Sequence, residues 1–119
     1  MAALPRVVRI PLGGRKKSDW VPATRWFRNG DHPLDGIARC NPDIEGSVVR
    51  RFRRPDVDGS AACPRCHEPY DAHGFIDGEG LFVCPGDYVA NRRDGTHAVV
   101  SAEQVAAQYK DETPGRVTR

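Results

Sequence analysis

The chain has 119 residues, 39% hydrophobic and 29% charged, with a mean hydropathy of −0.59 and a formal net charge of +2. These figures suit one small domain with a thin core, and no run approaches the ~20 apolar residues that a membrane span needs. Twelve glycines and ten prolines break the chain into short pieces, and a lean domain of this size commonly adds a metal or disulfides; four cysteines suffice for either.

Residues 1–19 are expected to form a flexible N-terminal segment, followed by a single domain over 20–110 and a disordered tail over 111–119. Within the first segment, residues 7–10 have the composition of a short strand and 13–18 that of a loop. Its apolar runs are cut by Pro5, Arg6, Arg9 and Pro11, so no export signal is expected. That places the protein in a reducing cytoplasm, where thiols serve as metal ligands or catalysts more often than as disulfides. Residues 1–60 carry 12 Lys and Arg against 7 Asp and Glu, a net of +5, whereas 61–119 net −3. This asymmetry suits contact with nucleic acid, and equally the packing of one half on the other.

Trp20, Val21 and residues 24–27 predict a strand, closed by the turn Asn29-Gly30-Asp31. Residues 31–46 are rich in turn formers and read as loop. Residues 47–54, SVVRRFRR, predict a strand with Val48, Arg50, Phe52 and Arg54 on one face and Val49, Arg51 and Arg53 on the other. Further strands are expected at 80–83, 88–90 and 97–100, the last two joined by a hairpin through Asp94-Gly95. Ser101 and Gln104 then make a capping box, with Val105 and Tyr109 placed at i, i+4 to pack the helix on the sheet. The fold expected is a small α+β domain: short antiparallel strands, a metal-stapled loop and one C-terminal helix.

The chemistry concentrates in residues 63–87, CPRCHEPYDAHGFIDGEGLFVCPGD. Cys63, Cys66 and His67 spell the attachment pattern of a c-type haem. That reading lacks an export signal, and Met1 is the sole methionine. A redox C-x-x-C opens a helix, which Pro69 interrupts here. A zinc site fits best. Cys63 and Cys66 offer two thiolates from one turn, and 17 residues separate Cys66 from Cys84, the interval of a ribbon-type site. A ribbon would continue with a cysteine at position 87, where this chain has Asp87.

The fourth donor must come from elsewhere. His73 completes a Cys3His set; Cys40, separated from Cys63 by 22 residues, is the soft alternative, and His67 and Asp87 stay open. Four protein donors make a structural site for one Zn2+. The deaminase pattern fails for want of an H-x-E motif, and a ββα-metal nuclease would need more than Asp31-His32 or His73. No catalytic arrangement emerges, and the protein is read as a non-enzyme.

The string from Cys63 to Val89, with His73-Gly74-Phe75-Ile76-Asp77, Glu79-Gly80 and Cys84-Pro85-Gly86-Asp87-Tyr88, resembles a set of small proteins encoded by actinobacterial phages. The resemblance takes in residues 26–33 and the basic strand before Pro55, and covers roughly 20–110. Phe75 stands for the usual Trp, Thr96 for a Glu, Val105 for a Phe, and His67 where glycine is common. The resemblance implies a phage or prophage accessory protein in the host cytoplasm and supports His73 as a ligand; it implies no activity. Two alternative partners are weighed, the first of them preferred. One is a host or phage protein, with Trp20, Trp26 and Phe27 as contact surface unless they form core, which is the reading preferred for Trp26. The other is nucleic acid, held by Arg50, Arg51, Phe52, Arg53 and Arg54, because arginine contacts phosphate and an aromatic ring stacks on a base.

Overall fold

The computed structural model describes residues 4–12, 20–41, 43–52 and 56–111. Among the described residues, eight short strands and two short α-helices make the small, mostly antiparallel α+β fold that the sequence predicts. Among the described residues no helix is long and apolar enough to cross a membrane.

Strand β1 (Val7–Pro11) alternates buried and half-buried side chains, the period-two pattern of a strand with one face on a core. It pairs antiparallel with β2 (Trp20–Arg25), so that Val8 lies opposite Ala23 and Ile10 opposite Val21. β2 pairs in turn with β6 (Tyr88–Asn91), and β6 with β7 (His97–Val100). A two-residue strand, β8 (Lys110–Asp111), adds to the far side of β1 and completes the order β7-β6-β2-β1-β8. One face of this sheet carries Val8, Ile10, Val21, Ala23, Tyr88 and Ala90. Helix α2 (Ala102–Ala107) covers them through Val105.

A second sheet packs against the opposite face. It consists of β3 (Arg50–Arg51), β4 (Gly74–Ile76) and β5 (Leu81–Val83), all antiparallel. Ile76 and Val83 from this sheet, Val49, and Val89 from β6 enclose Trp26, which is 2% exposed. Trp26 is thus core, as preferred; Phe27 beside it is exposed. Gly74 is required by this packing, since a Cβ there would lie 2.5 Å from Val49 Cγ1 and 2.9 Å from the Trp26 ring.

Several expectations are corrected. The segment 1–19, expected as a flexible lead to the domain, contributes β1 to the interior of the first sheet, and Asp111 of the expected tail lies in β8; residues 13–19 and 112–119 fall outside the described residues. The region 31–46 is not all loop: a 3-10 turn (Pro33–Asp35) leads into α1 (Gly36–Cys40). Asp35 anchors it, accepting hydrogen bonds from the backbone N–H groups of Ser47, Val48 and Val49 at 2.7–3.0 Å. The 47–54 strand shortens to Arg50–Arg51, and residues 53–55 lie outside the described residues. The capping box of Ser101 and Gln104 is present, but α2 ends at Ala107. Val105 therefore packs inward without Tyr109, which is exposed.

Candidate metal centre

The centre is assembled from three local structures. The first is a tight turn around Cys63-Pro64-Arg65-Cys66, in which His67 N donates to Cys63 O and Cys63 N donates to Glu68 O, both at 2.8 Å. Closing this turn puts His67 in the left-handed region, φ +67°, a conformation that suits glycine and strains a side chain. The second is a 3-10 turn (Tyr70–Ala72) that delivers His73 to the start of β4. The third is the end of β5, where Cys84-Pro85-Gly86-Asp87 reverses the chain into β6. The backbone of Trp26 clamps this reversal: Gly86 N donates to Trp26 O at 2.7 Å and Trp26 N donates to Asp87 O at 2.8 Å. Gly86 sits at φ +97°, which only glycine adopts freely.

These segments bring the donor atoms of Cys63, Cys66, His73 and Cys84 within 4.8 Å of one another. Tetrahedral coordination by thiolates at ~2.3 Å needs sulfurs roughly 3.8 Å apart, so the cluster has the dimensions of one metal site. Cys63, His73 and Cys84 are buried, and Cys66 is half-buried. The His73 ring is oriented for coordination. Its Nδ1–H donates to Pro69 O at 2.8 Å, leaving Nε2 bare and 3.1 Å from Cys66 Sγ. The Phe82 ring stacks on the imidazole at 4.7 Å and 18°.

Charge around the thiols is managed by Arg65 and Asp87. Burial pushes the Cys84 thiol up to about 12, and the Asp87 carboxylate and the neighbouring cysteines push the same way. At Cys63 burial also acts upward, but the backbone N–H groups of Cys66 and Arg65 and the other thiols outweigh it, so the net shift is downward. Asp87 is raised by burial, against the opposing pull of the Cys84 N–H and Arg65. Arg65 donates to Asp87 from both terminal nitrogens, at 3.1 and 3.2 Å, and one of them lies 3.6 Å from Cys84 Sγ. A cluster of three thiols with an aimed imidazole is a coherent donor set for a soft or borderline cation.

The remaining sequence candidates separate from this cluster. Cys40 is exposed at the end of α1, and His67 is exposed although it adjoins Cys66. Asp87 engages Arg65 and the Cys84 N–H instead of joining the donors. Of the basic run, Arg50 pairs with Glu45 at 3.6 Å, Glu45 also accepts from Arg51 N at 2.7 Å, and Phe52 joins an aromatic cluster with Tyr70, Phe75 and Phe82. Arg53 and Arg54 lie outside the described residues. Sequence reasoning missed both the Arg65–Asp87 bracket and the aromatic cluster. The alternation of Phe75 with Ile76, and of Phe82 with Val83, was the available signal for the second.

Comparison with protein-family models, with curated proteins and with solved structures gives no match.

Proposed function

We propose that this protein is a non-enzymatic binding module, held in shape by one structural Zn2+ on Cys63, Cys66, His73 and Cys84. The observation that carries the reading is the donor cluster itself: three sulfurs and one bare imidazole nitrogen, drawn from three separate segments and gathered within 4.8 Å. Thiolate-rich tetrahedral sets select zinc or iron–sulfur chemistry, and a Cys3His set is a common structural zinc site. Four protein donors fill a tetrahedral shell and leave no position for water or substrate, so the ion supplies folding energy to a chain whose two cores are small.

The resemblance of residues 63–89 to small actinobacterial phage proteins supports a phage or prophage accessory protein in the host cytoplasm. Of the two partner classes, a host or phage protein and a nucleic acid, the outward face of the second sheet favours the nucleic acid.

The test is metal analysis joined to X-ray absorption at the zinc edge, on the protein and on Cys84→Ser and His73→Ala variants. One zinc per chain with a three-sulfur, one-nitrogen shell, lost or weakened in both variants, supports the reading. A shell containing a water oxygen would overturn the non-enzymatic part, and metal retention unchanged in His73→Ala would overturn the donor set.

A further inference from the structure

The outward face of the β3-β4-β5 sheet is built unlike a solvated surface. Register places Arg50 opposite Phe75, and Phe75 opposite Phe82, so these three side chains form one row across the sheet. Ile76 and Val83, on the alternate positions, face the core. A half-solvated antiparallel sheet ordinarily turns polar residues outward. Here the row is aromatic, and Phe52 extends it, edge-on to Phe82 at 4.9 Å and to Phe75 at 6.3 Å. Tyr70 closes the cluster 5.8 Å from Phe52. All four rings remain part-exposed. Above them lies an open cleft of about 730 Å3.

Among the described residues, the charged lining of this cleft is Arg50, Arg51 and Arg65 beside Glu45, with Asp87 paired to Arg65 from outside the lining. Arg50 and Arg65 each keep about half of their side chain in solvent, 53% and 51%. The Arg50–Glu45 contact is a 3.6 Å surface pair, of the kind worth less than about 1 kcal/mol, so exchange of the carboxylate for a phosphate costs little. Arg65 is engaged by Asp87 through its terminal nitrogens, which fixes its guanidinium at the rim.

We propose that single-stranded nucleic acid binds across this face, a base stacking on Phe75 beside Phe52 and Phe82 while its phosphates meet Arg50 and the rim at Arg65. The proposal rests on the binding-module reading and names its partner. Flat rings with guanidinium groups at their edge match unpaired bases strung on a phosphate backbone. A duplex hides the base faces, an apolar peptide leaves the arginines unused, and an acidic peptide leaves the ring faces unused.

The experiment is a fluorescence anisotropy titration of the zinc-loaded full chain with labelled oligothymidine and oligouridine of about 12 nucleotides, and a duplex of equal length, at about 50 and 200 mM salt. Both single strands bind, the duplex binds at least about tenfold more weakly, and affinity falls steeply with salt. Phe75→Ala weakens binding by about 5- to 150-fold, the usual worth of one stacked base. Phe75→Leu, which keeps apolar packing without a flat ring, weakens it in the same direction. Arg50→Ala weakens both strands alike and lowers the salt slope by about 1. Zinc content and circular dichroism are measured on each variant. No binding of either strand by folded, zinc-loaded protein overturns the proposal. So does equal binding of duplex and single strand, full competition by an acidic peptide, or wild-type affinity in a folded Phe75→Leu. These failures leave the zinc shell as found, so they are distinct from failure of the module reading, which turns on an open coordination position.

Discussion

Arg65 and Asp87 face each other beside the donor cluster, two nitrogens of one on the two oxygens of the other at 3.1 and 3.2 Å. One residue belongs to the Cys63–Cys66 turn and the other to the turn after Cys84, so the pair ties together the two halves of the centre. Asp87 also accepts from Cys84 N at 3.1 Å, and Arg65 reaches the Cys84 sulfur. Partners of this kind orient metal ligands and set their charge, and their loss typically weakens metal binding by about 10- to 100-fold. Asp87→Asn keeps the shape and loses the charge. Zinc affinity measured by competition with a chromogenic chelator is expected to weaken by that factor, and an unchanged affinity would mean that the pair does not tune the centre.

The left-handed backbone at His67 gives a second expectation. An L-residue at φ +67° pays roughly 1–2 kcal/mol that glycine avoids. The side chain is exposed and the turn is closed by backbone hydrogen bonds, so little is lost with the imidazole. Replacing His67 with Gly should raise stability by about 1 kcal/mol, offset in part by the extra freedom of glycine in the unfolded chain. Thermal melting of the zinc-loaded protein checks the sign. A lowered Tm would show that the His67 side chain itself contributes.

The four donors were legible before the fold because their geometry is local. A C-x-x-C turn needs no distant partner to form, and His73 lies between the two halves of the site in sequence. The Arg65–Asp87 pair was not legible, since it exists only once β5 has docked beside the Cys63 turn. Two further misses share that cause. The alternation of Val8 and Ile10 marks a strand, but its place inside the sheet depends on pairing with β2 and β8. α1 begins at a glycine and exposes Leu34 and Ile37 around its start, giving no amphipathic pattern; its place comes from Asp35 binding the chain at 47–49. Tyr109 failed as a helix position because α2 stops at Ala107, so the i, i+4 relation has no helix to act through.

Gly74 tests the packing of the second sheet on the first. A methyl group there would meet Val49 Cγ1 at 2.5 Å and two ring carbons of Trp26 at 2.9 Å, all in the buried core. Neither neighbour is a flexible chain end. Overpacking of this kind costs about 1–3 kcal/mol, and Gly74→Ala should lower the urea midpoint accordingly with an unchanged m-value. Because His73 precedes Gly74, zinc affinity should weaken with it.

Metal uptake should carry a clear pH signature. Without a cation the Cys84 thiol is held up to about 12, chiefly by burial and then by Asp87, so at neutral pH it is protonated. In the metal-free protein this raised value stabilises the fold below about 9, and the contribution is lost as pH climbs toward about 12. Zinc requires the thiolate and therefore works in the opposite sense: binding expels protons, affinity rises with pH, and acidification releases the metal. Calorimetric titration with zinc in two buffers of different ionisation enthalpy should show net proton release near pH 7. Fewer protons released by Cys84→Ser than by the wild type would assign part of the release to Cys84, and uptake by the wild type without any release would mean that no protonated thiol is a ligand.

His32 offers an acid response independent of the metal. It is 1% exposed, accepts Leu34 N at Nδ1 at 3.1 Å, and so carries its proton on Nε2, which donates to Asn91 at 2.8 Å. Burial lowers its pKa below 6.5, and the proximity of His97 adds to that, while Asn91 and Asp35 act upward without reversing the shift. A depressed folded-state value means that the stabilisation is complete above about 6.5 and is lost as pH falls from there toward the folded value. His32→Gln removes the titrating group at the cost of the Leu34 contact. The stability gap between wild type and this variant should be widest near pH 7.5 and should narrow by pH 5.5, when both are followed by urea denaturation. Using the difference cancels the acid sensitivity of the zinc thiolates, which both proteins share. A gap constant across that range would mean that His32 titrates alike in the folded and unfolded chains, against the burial seen around its ring.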